Sequence, residues 1–204
     1  MMKTAGAITL IFPMMMISLL LIAITASGAV DSDVVLDSNG DPVRAFAPYY
    51  IEVRTSQGRR ANISEFGIDE NHALSCPQRV VAYSDELMGI AKPVIFLFST
   101  HFVRVSAELS IKFAWTTECD EPGVWKVADS IDGSSWATKE IFLSGTDSSS
   151  DSTFIIKKSE NGSYKLAFGS SEKPQDFGLD EIRYGVWRLI LSNNSGFTVS
   201  FVPA

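Results

Sequence analysis

The side chains that catalysis and metal binding draw on are scarce here: of 204 residues, two are histidine and two are cysteine. His72, His101, Cys76 and Cys119 show none of the spacings of a structural zinc site. Ser99 stands two residues before His101, but residues two apart on an extended segment point alike and make no nucleophile-to-base contact. No phosphate-cradling glycine loop occurs, and Gly123, Gly133 and Gly145 read as turn residues. No catalytic residue, metal site or cofactor is therefore expected, and the chain does not read as an enzyme. Basic residues are outnumbered, 17 Lys and Arg against 24 Asp and Glu, for a net charge of −7. Such a surface repels phosphate backbones, which argues against nucleic acid as a partner.

The amino terminus is the one strongly apolar region. Lys3 precedes an apolar stretch over residues 5–26, followed by Ala26-Ser27-Gly28-Ala29, the order of a secretory signal peptide cleaved near Gly28. The expected division is a leader over 1–28 and a single domain over 29–204. After the leader the longest apolar run is Pro93-Val94-Ile95-Phe96-Leu97-Phe98, far below the ~20 residues a membrane helix needs. The product is expected to be secreted, to the extracellular space, the apoplast or a vacuole, and to be free of the membrane once the leader is removed. An uncleaved anchor is the alternative.

Both cysteines follow the leader, so an oxidising route predicts one disulfide between Cys76 and Cys119, with two free buried thiols as the alternative. Asn62-Ile63-Ser64, Asn161-Gly162-Ser163 and Asn193-Asn194-Ser195 are glycosylation sequons.

Beyond the leader almost nothing repeats at helical period. Short alternating runs separated by Gly, Ser, Asn, Asp and Pro predict an all-β domain. Val35-Leu36-Asp37-Ser38-Asn39-Gly40-Asp41-Pro42-Val43 reads as a strand entering a tight Asn-Gly turn, with Tyr49-Tyr50-Ile51-Glu52-Val53 as the returning strand. The clearest hairpin runs from Phe154 to Lys158 and back through Tyr164-Lys165-Leu166-Ala167-Phe168, with Tyr164, Leu166 and Phe168 on one face. Leu109-Ser110-Ile111-Lys112-Phe113 and Phe197-Thr198-Val199-Ser200-Phe201 alternate in the same way, and residues 144–152 read as an exposed loop. A faint echo links Tyr49-Tyr50-Ile51-Glu52-Val53, Val124-Trp125-Lys126-Val127 and Val186-Trp187-Arg188-Leu189. Three units of about four strands predict a β-trefoil, a pseudo-threefold barrel of six hairpins, and an immunoglobulin-like sandwich is the competitor. Trp115 and Trp136 are expected in core or strand-edge packing, with a sugar-binding platform as the alternative.

Taken in order, these segments resemble the soybean-type Kunitz inhibitors of plants. Cys76-Pro77-Gln78-Arg79-Val80-Val81 is similar to the family's Cys-Pro-Leu-Thr-Val-Val, and the strand ending in Tyr164-Lys165-Leu166-Ala167-Phe168 to its Tyr-Lys-Leu-Val-Phe. The carboxyl-terminal strands Trp187-Arg188-Leu189-Ile190-Leu191-Ser192 and Phe197-Thr198-Val199-Ser200-Phe201 resemble its closing signature.

The resemblance implies a monomeric β-trefoil that blocks an extracellular or vacuolar endopeptidase by offering one exposed loop as a substrate mimic. Aligned from both sides, that reactive loop is Phe98, Ser99, Thr100 and His101, with the scissile position at Ser99-Thr100 or, one residue later, at Thr100-His101. The residue filling the specificity pocket is small and neutral, so a serine endopeptidase of elastase-like or subtilisin-like rather than tryptic preference is implied. Two departures from the family accompany this. Ala45 stands where inhibitory members place a loop-bracing asparagine, and Gly169 stands where the second cysteine pair would begin. A non-inhibitory storage, defence or carbohydrate-binding protein is the alternative, as is inhibition of a cysteine or aspartic protease through another surface.

Overall fold

In a computed structural model, the described residues are 33–68, 74–87, 91–115, 117–129, 139–192 and 196–204. The expected leader over 1–28, His72, Gly133, Trp136 and the Asn193 sequon lie outside them. The described chain holds twelve strands: β1 (Pro48–Thr55), β2 (Arg60–Ile68), β3 (Leu74–Ser84), β4 (Val94–Leu97), β5 (Glu108–Phe113), β6 (Lys126–Asp129), β7 (Lys139–Phe142), β8 (Phe154–Lys158), β9 (Tyr164–Phe168), β10 (Gln175–Arg183), β11 (Val186–Leu191) and β12 (Phe197–Pro203). Among the described residues no helix is long and apolar enough to cross a membrane.

The alternation that predicted strands reappears as alternating burial. On β1, Tyr49, Ile51 and Val53 are buried while Glu52 and Arg54 face solvent. On β12, Phe197, Val199 and Phe201 are buried, and the register sets Ile51 opposite Phe201 and Val53 opposite Val199.

Strand pairing alone defines the architecture. β1 pairs with β4, β4 with β5, β5 with β8, β8 with β9, β9 with β12, and β12 returns to β1, so six strands close into a ring. Closure removes the exposed edges that an open sheet would present. The other six strands form the hairpins β2–β3, β6–β7 and β10–β11, and β3, β7 and β11 pair with one another across the mouth of the ring. A six-stranded barrel capped by three hairpins is a β-trefoil. Its core is aromatic: Phe96 meets Phe201 edge-on at 5.3 Å, Trp125 meets Phe154 at 6.0 Å, and all four rings are fully buried or nearly so.

Three readings change in detail. The threefold relation is present, but equivalent barrel strands are β1, β5 and β9, each pairing with the strands before and after it around the ring. The predicted echo instead links a barrel strand with Trp125 beside β6 and Trp187 on β11, which belong to the cap. It reflects a shared need for buried aromatics rather than equivalent positions. The opening turn forms at Asn39-Gly40, with Gly40 at φ +84° and Asp37 accepting the N–H groups of Asn39 and Asp41. The chain returns through Pro42 and Val43 rather than through β1, because that tight loop pairs Leu36 with Pro42. Trp115 is 67% exposed and so lies outside the core. The Phe154–Phe168 hairpin forms as predicted, with five residue pairs in register.

Candidate functional site

Residues 98–107 join β4 to β5, and backbone hydrogen bonds fasten their stem to the amino-terminal arm. Val103 is fully buried, its N–H donates to the Val43 carbonyl at 2.9 Å, and its own carbonyl accepts from Val35 at 3.0 Å. Val105 donates to the Asp33 carbonyl at 2.7 Å, and Arg104 and Phe102 form bridges with Val34 and Arg44. The arm is itself held to the barrel by two tyrosines: the Tyr49 hydroxyl accepts from the Arg44 N–H and the Tyr164 hydroxyl from the Leu36 N–H.

From this stem the predicted loop residues stand outward. Ser99, Thr100 and His101 are exposed, while Phe98 is half-buried and packs against the core. The Thr100 hydroxyl donates to the Phe102 carbonyl at 3.0 Å, and the His101 ring lies edge-on to Phe102 at 4.6 Å. His101 is thus turned towards its successor rather than towards Ser99. The loop bends outward at Ser99, Thr100 and His101 from a stem hydrogen-bonded to the arm.

Ala45 lies beside the loop, as the resemblance implies. Its methyl group offers no hydrogen bond, yet its backbone N–H donates to the His101 carbonyl at 3.0 Å, and the next N–H, of Phe46, donates to the Phe96 carbonyl at 3.0 Å. Main chain therefore does part of the bracing that a side-chain amide would do.

An open cleft of about 410 Å³ adjoins the loop, lined by Leu97, Phe98 and Ser99 on one side, Asp147 and Ser148 on another, and Phe46 at its rim. The Asp147-Ser148 segment is tied to β5 by the Ser148 N–H, which donates to the Ser110 hydroxyl at 3.2 Å. Further along the same segment Asp151 accepts from the Ser149 hydroxyl and pairs with Lys126 at 3.2 Å, and these contacts, the Ser149 bond foremost, hold its carboxyl below the usual range. Phe46, Ser106 and Ser148 all adopt left-handed backbone, at φ 62°, 59° and 62°. Asp120, beside the disulfide, is the fourth described non-glycine residue in this region, at φ 55°. Phe46, Asp147 and Ser148 were not legible as site residues, because they reach the cleft from segments far apart in the chain.

The cysteines do pair: Cys76 and Cys119 form a disulfide with Cα atoms 5.8 Å apart, tying the start of β3 to the segment after β5. Of the two described sequons, Asn161 is exposed at the β8–β9 turn, with its side-chain oxygen accepting from the N–H and hydroxyl of Ser163. Asn62 is half-buried within β2 and its amide donates to Asp85.

Residues 35–202 match the family model described as trypsin and protease inhibitor, of the legume Kunitz type. The chain belongs to the plant Kunitz inhibitor family. It is 37% identical over 196 residues to Kunitz trypsin inhibitor 6 of Arabidopsis thaliana, with 91% of each protein covered. Among solved Kunitz-type structures it resembles the trypsin inhibitor from soybean, at 22% identity and a TM-score of 0.64, covering 84% of this chain and 99% of that one. It is equally similar to the water-soluble chlorophyll protein of Brassica oleracea, at 22% identity and a TM-score of 0.66, again covering 84% of this chain and 99% of that one. These two likenesses speak for the shared fold alone, and relatives on one scaffold evidently serve different ends.

Proposed function

We propose that this Kunitz protein is a secreted, monomeric inhibitor of a serine endopeptidase, extracellular or vacuolar, acting by substrate-like occlusion with Ser99 in the primary specificity pocket. The observation that carries the proposal is the contrast within ten residues: Ser99, Thr100 and His101 are exposed, whereas Val103 is fully buried and bonded on both sides to the amino-terminal arm. An extended segment pairs with a protease cleft through its main chain, and a stem already ordered spends little entropy on binding. Cleaved ends held by such a stem stay in place, so hydrolysis is unproductive. Ser99 is small and uncharged, which suits an elastase-like or subtilisin-like pocket and leaves the buried aspartate of a tryptic pocket unpaired.

The test is a protease panel with purified mature protein, read as stoichiometric inhibition. Wild type is expected to inhibit an elastase-like or subtilisin-like enzyme and to spare trypsin, and Ser99→Arg to gain trypsin inhibition. Loss of that switch, with the fold intact, overturns the assignment of Ser99.

A non-inhibitory role is the second reading, favoured by the methyl group at Ala45, which leaves the loop without side-chain bracing from that position. No inhibition across serine, cysteine and aspartic proteases would establish it. Of the two described sequons, Asn161 is the better placed to carry glycan, since the Asn62 amide is engaged within a paired strand. Glycopeptide mass spectrometry of secreted protein is expected to find glycan at Asn161, and an unmodified Asn161 would refute this.

A further inference from the structure

We propose that Phe46 is a second, aromatic anchor for the same endopeptidase, selecting enzymes whose rim is apolar beside the pocket that receives Ser99. The proposal rests on the reading of the 98–101 segment as bait. Three observations on Phe46 converge.

First, its ring is 65% exposed, so the core gains little from it. Second, its backbone sits at φ 62°, a region that a bulky L-residue rarely enters and that glycine enters freely. The neighbouring bonds, Ala45 N–H to His101 and Phe46 N–H to Phe96, hold the backbone there. Stability would thus be better served by glycine at this position, and an exposed aromatic kept against that preference points to use at the surface. Third, Phe46 lines the cleft that Leu97, Phe98 and Ser99 also line. A protease seated on Ser99 brings its rim to this ring.

The backbone that carries the ring is held by the Ala45 and Phe46 N–H bonds, so only the two side-chain torsions of Phe46 remain to be ordered on contact. Aromatic side chains with these properties are the ones that dominate interface energetics. Glu108 and Asp147 line the same cleft, so the surface offered is an aromatic ring next to acidic groups, and a rim that is apolar with nearby basic side chains matches it best.

The experiment compares wild type, Phe46→Ala and Phe46→Gly against the panel enzyme that wild type inhibits most tightly, measuring dissociation rate and thermal midpoint. Both variants are expected to dissociate about tenfold faster or more. Phe46→Gly is expected to melt at or above the wild-type temperature, because it relieves the left-handed strain. A merely structural role for Phe46 would instead lower the midpoint along with the inhibition. Dissociation within twofold of wild type for both variants overturns the anchor while leaving loop occlusion standing. Failure of wild type to inhibit any enzyme overturns both. Sedimentation of wild type as a dimer that Phe46→Ala dissociates, with inhibition unchanged, assigns the ring to self-association and overturns the anchor.

Discussion

The Ala45 N–H donates to the His101 carbonyl at 3.0 Å, so the outer end of the exposed loop is held by main chain at a position whose side chain is only a methyl group. The bond belongs to a backbone ladder that continues through buried Val103 to Val105 and joins the loop's stem to the amino-terminal arm.

Val103 is the buried rung of that ladder, and Val103→Ala is expected to lower stability by roughly 2 kcal/mol through lost apolar burial and the cavity left behind. Because the cavity opens beneath the stem, the loop is expected to become more susceptible to cleavage than the barrel. Urea unfolding reports the first effect, and limited proteolysis with mass mapping of the cut sites reports the second. Unchanged cleavage at residues 98–101 in a destabilised variant would show that Val103 does not govern the loop.

Glu140 holds the cap together. It is 1% exposed on β7 and pairs with Arg188 of β11 at 2.8 Å and with Arg79 of β3 at 3.5 Å, so one carboxylate meets the cations of both other hairpins. Arg188 also bonds Asp180 at 2.7 Å. Glu140→Ala is expected to cost about 3 kcal/mol, near the lower end for breaking a buried pair, since Asp180 remains to Arg188 and both arginines reach water in part. Chemical denaturation measures this, and a loss under 1 kcal/mol would mean that the network is solvated enough to be dispensable.

The disulfide closes a loop of 43 residues in sequence separation, and in the chain-entropy model its removal costs about 4 kcal/mol. Cys76→Ser with Cys119→Ser is therefore expected to lower the thermal midpoint by many degrees. Near that bridge Glu121 accepts the Gln78 N–H through both oxygens at 3.2 Å, keeping the two segments in contact without it. The double variant is expected to fold and to retain loop-dependent inhibition, because neither cysteine touches the ladder. Inhibition lost in a folded variant would contradict this.

Asp151 makes part of the fold's stability depend on acid. Its folded carboxyl titrates below the ordinary aspartate value of 3.8, through the Ser149 bond first and Lys126 as well. The contribution is complete above the unfolded value and is lost as pH falls through the lower, folded one. Asp151 is partly exposed, so the contribution is at most ~1 kcal/mol. The stability difference between wild type and Asp151→Asn is expected to be constant from pH 7 to about pH 5, then to shrink towards pH 2. A difference that grows on acidification would reverse the assignment.

The local features of this protein were legible in the sequence because they depend on neighbours in the chain. The Phe154–Phe168 hairpin has its alternation, its turn and its partner strand within fifteen residues. The Asn39-Gly40 turn is likewise a consequence of local composition, whereas the stretch at 144–152 is exposed only in part, with Gly145 and Ser152 buried. The order of the motifs carried the fold family, and the presence of two cysteines carried the Cys76–Cys119 pairing. What the chain order left open was which strand lies beside which: β1 pairs with β12, about 150 residues later, and no local pattern encodes that choice. Closing the barrel brings the arm that carries Phe46, the loop that carries Ser99 and the segment that carries Ser148 around one cleft. Alternation records only that a face is buried, not against what, so the position of the 98–101 segment between β4 and β5 followed from sequence order, and the residues around it came from the packing.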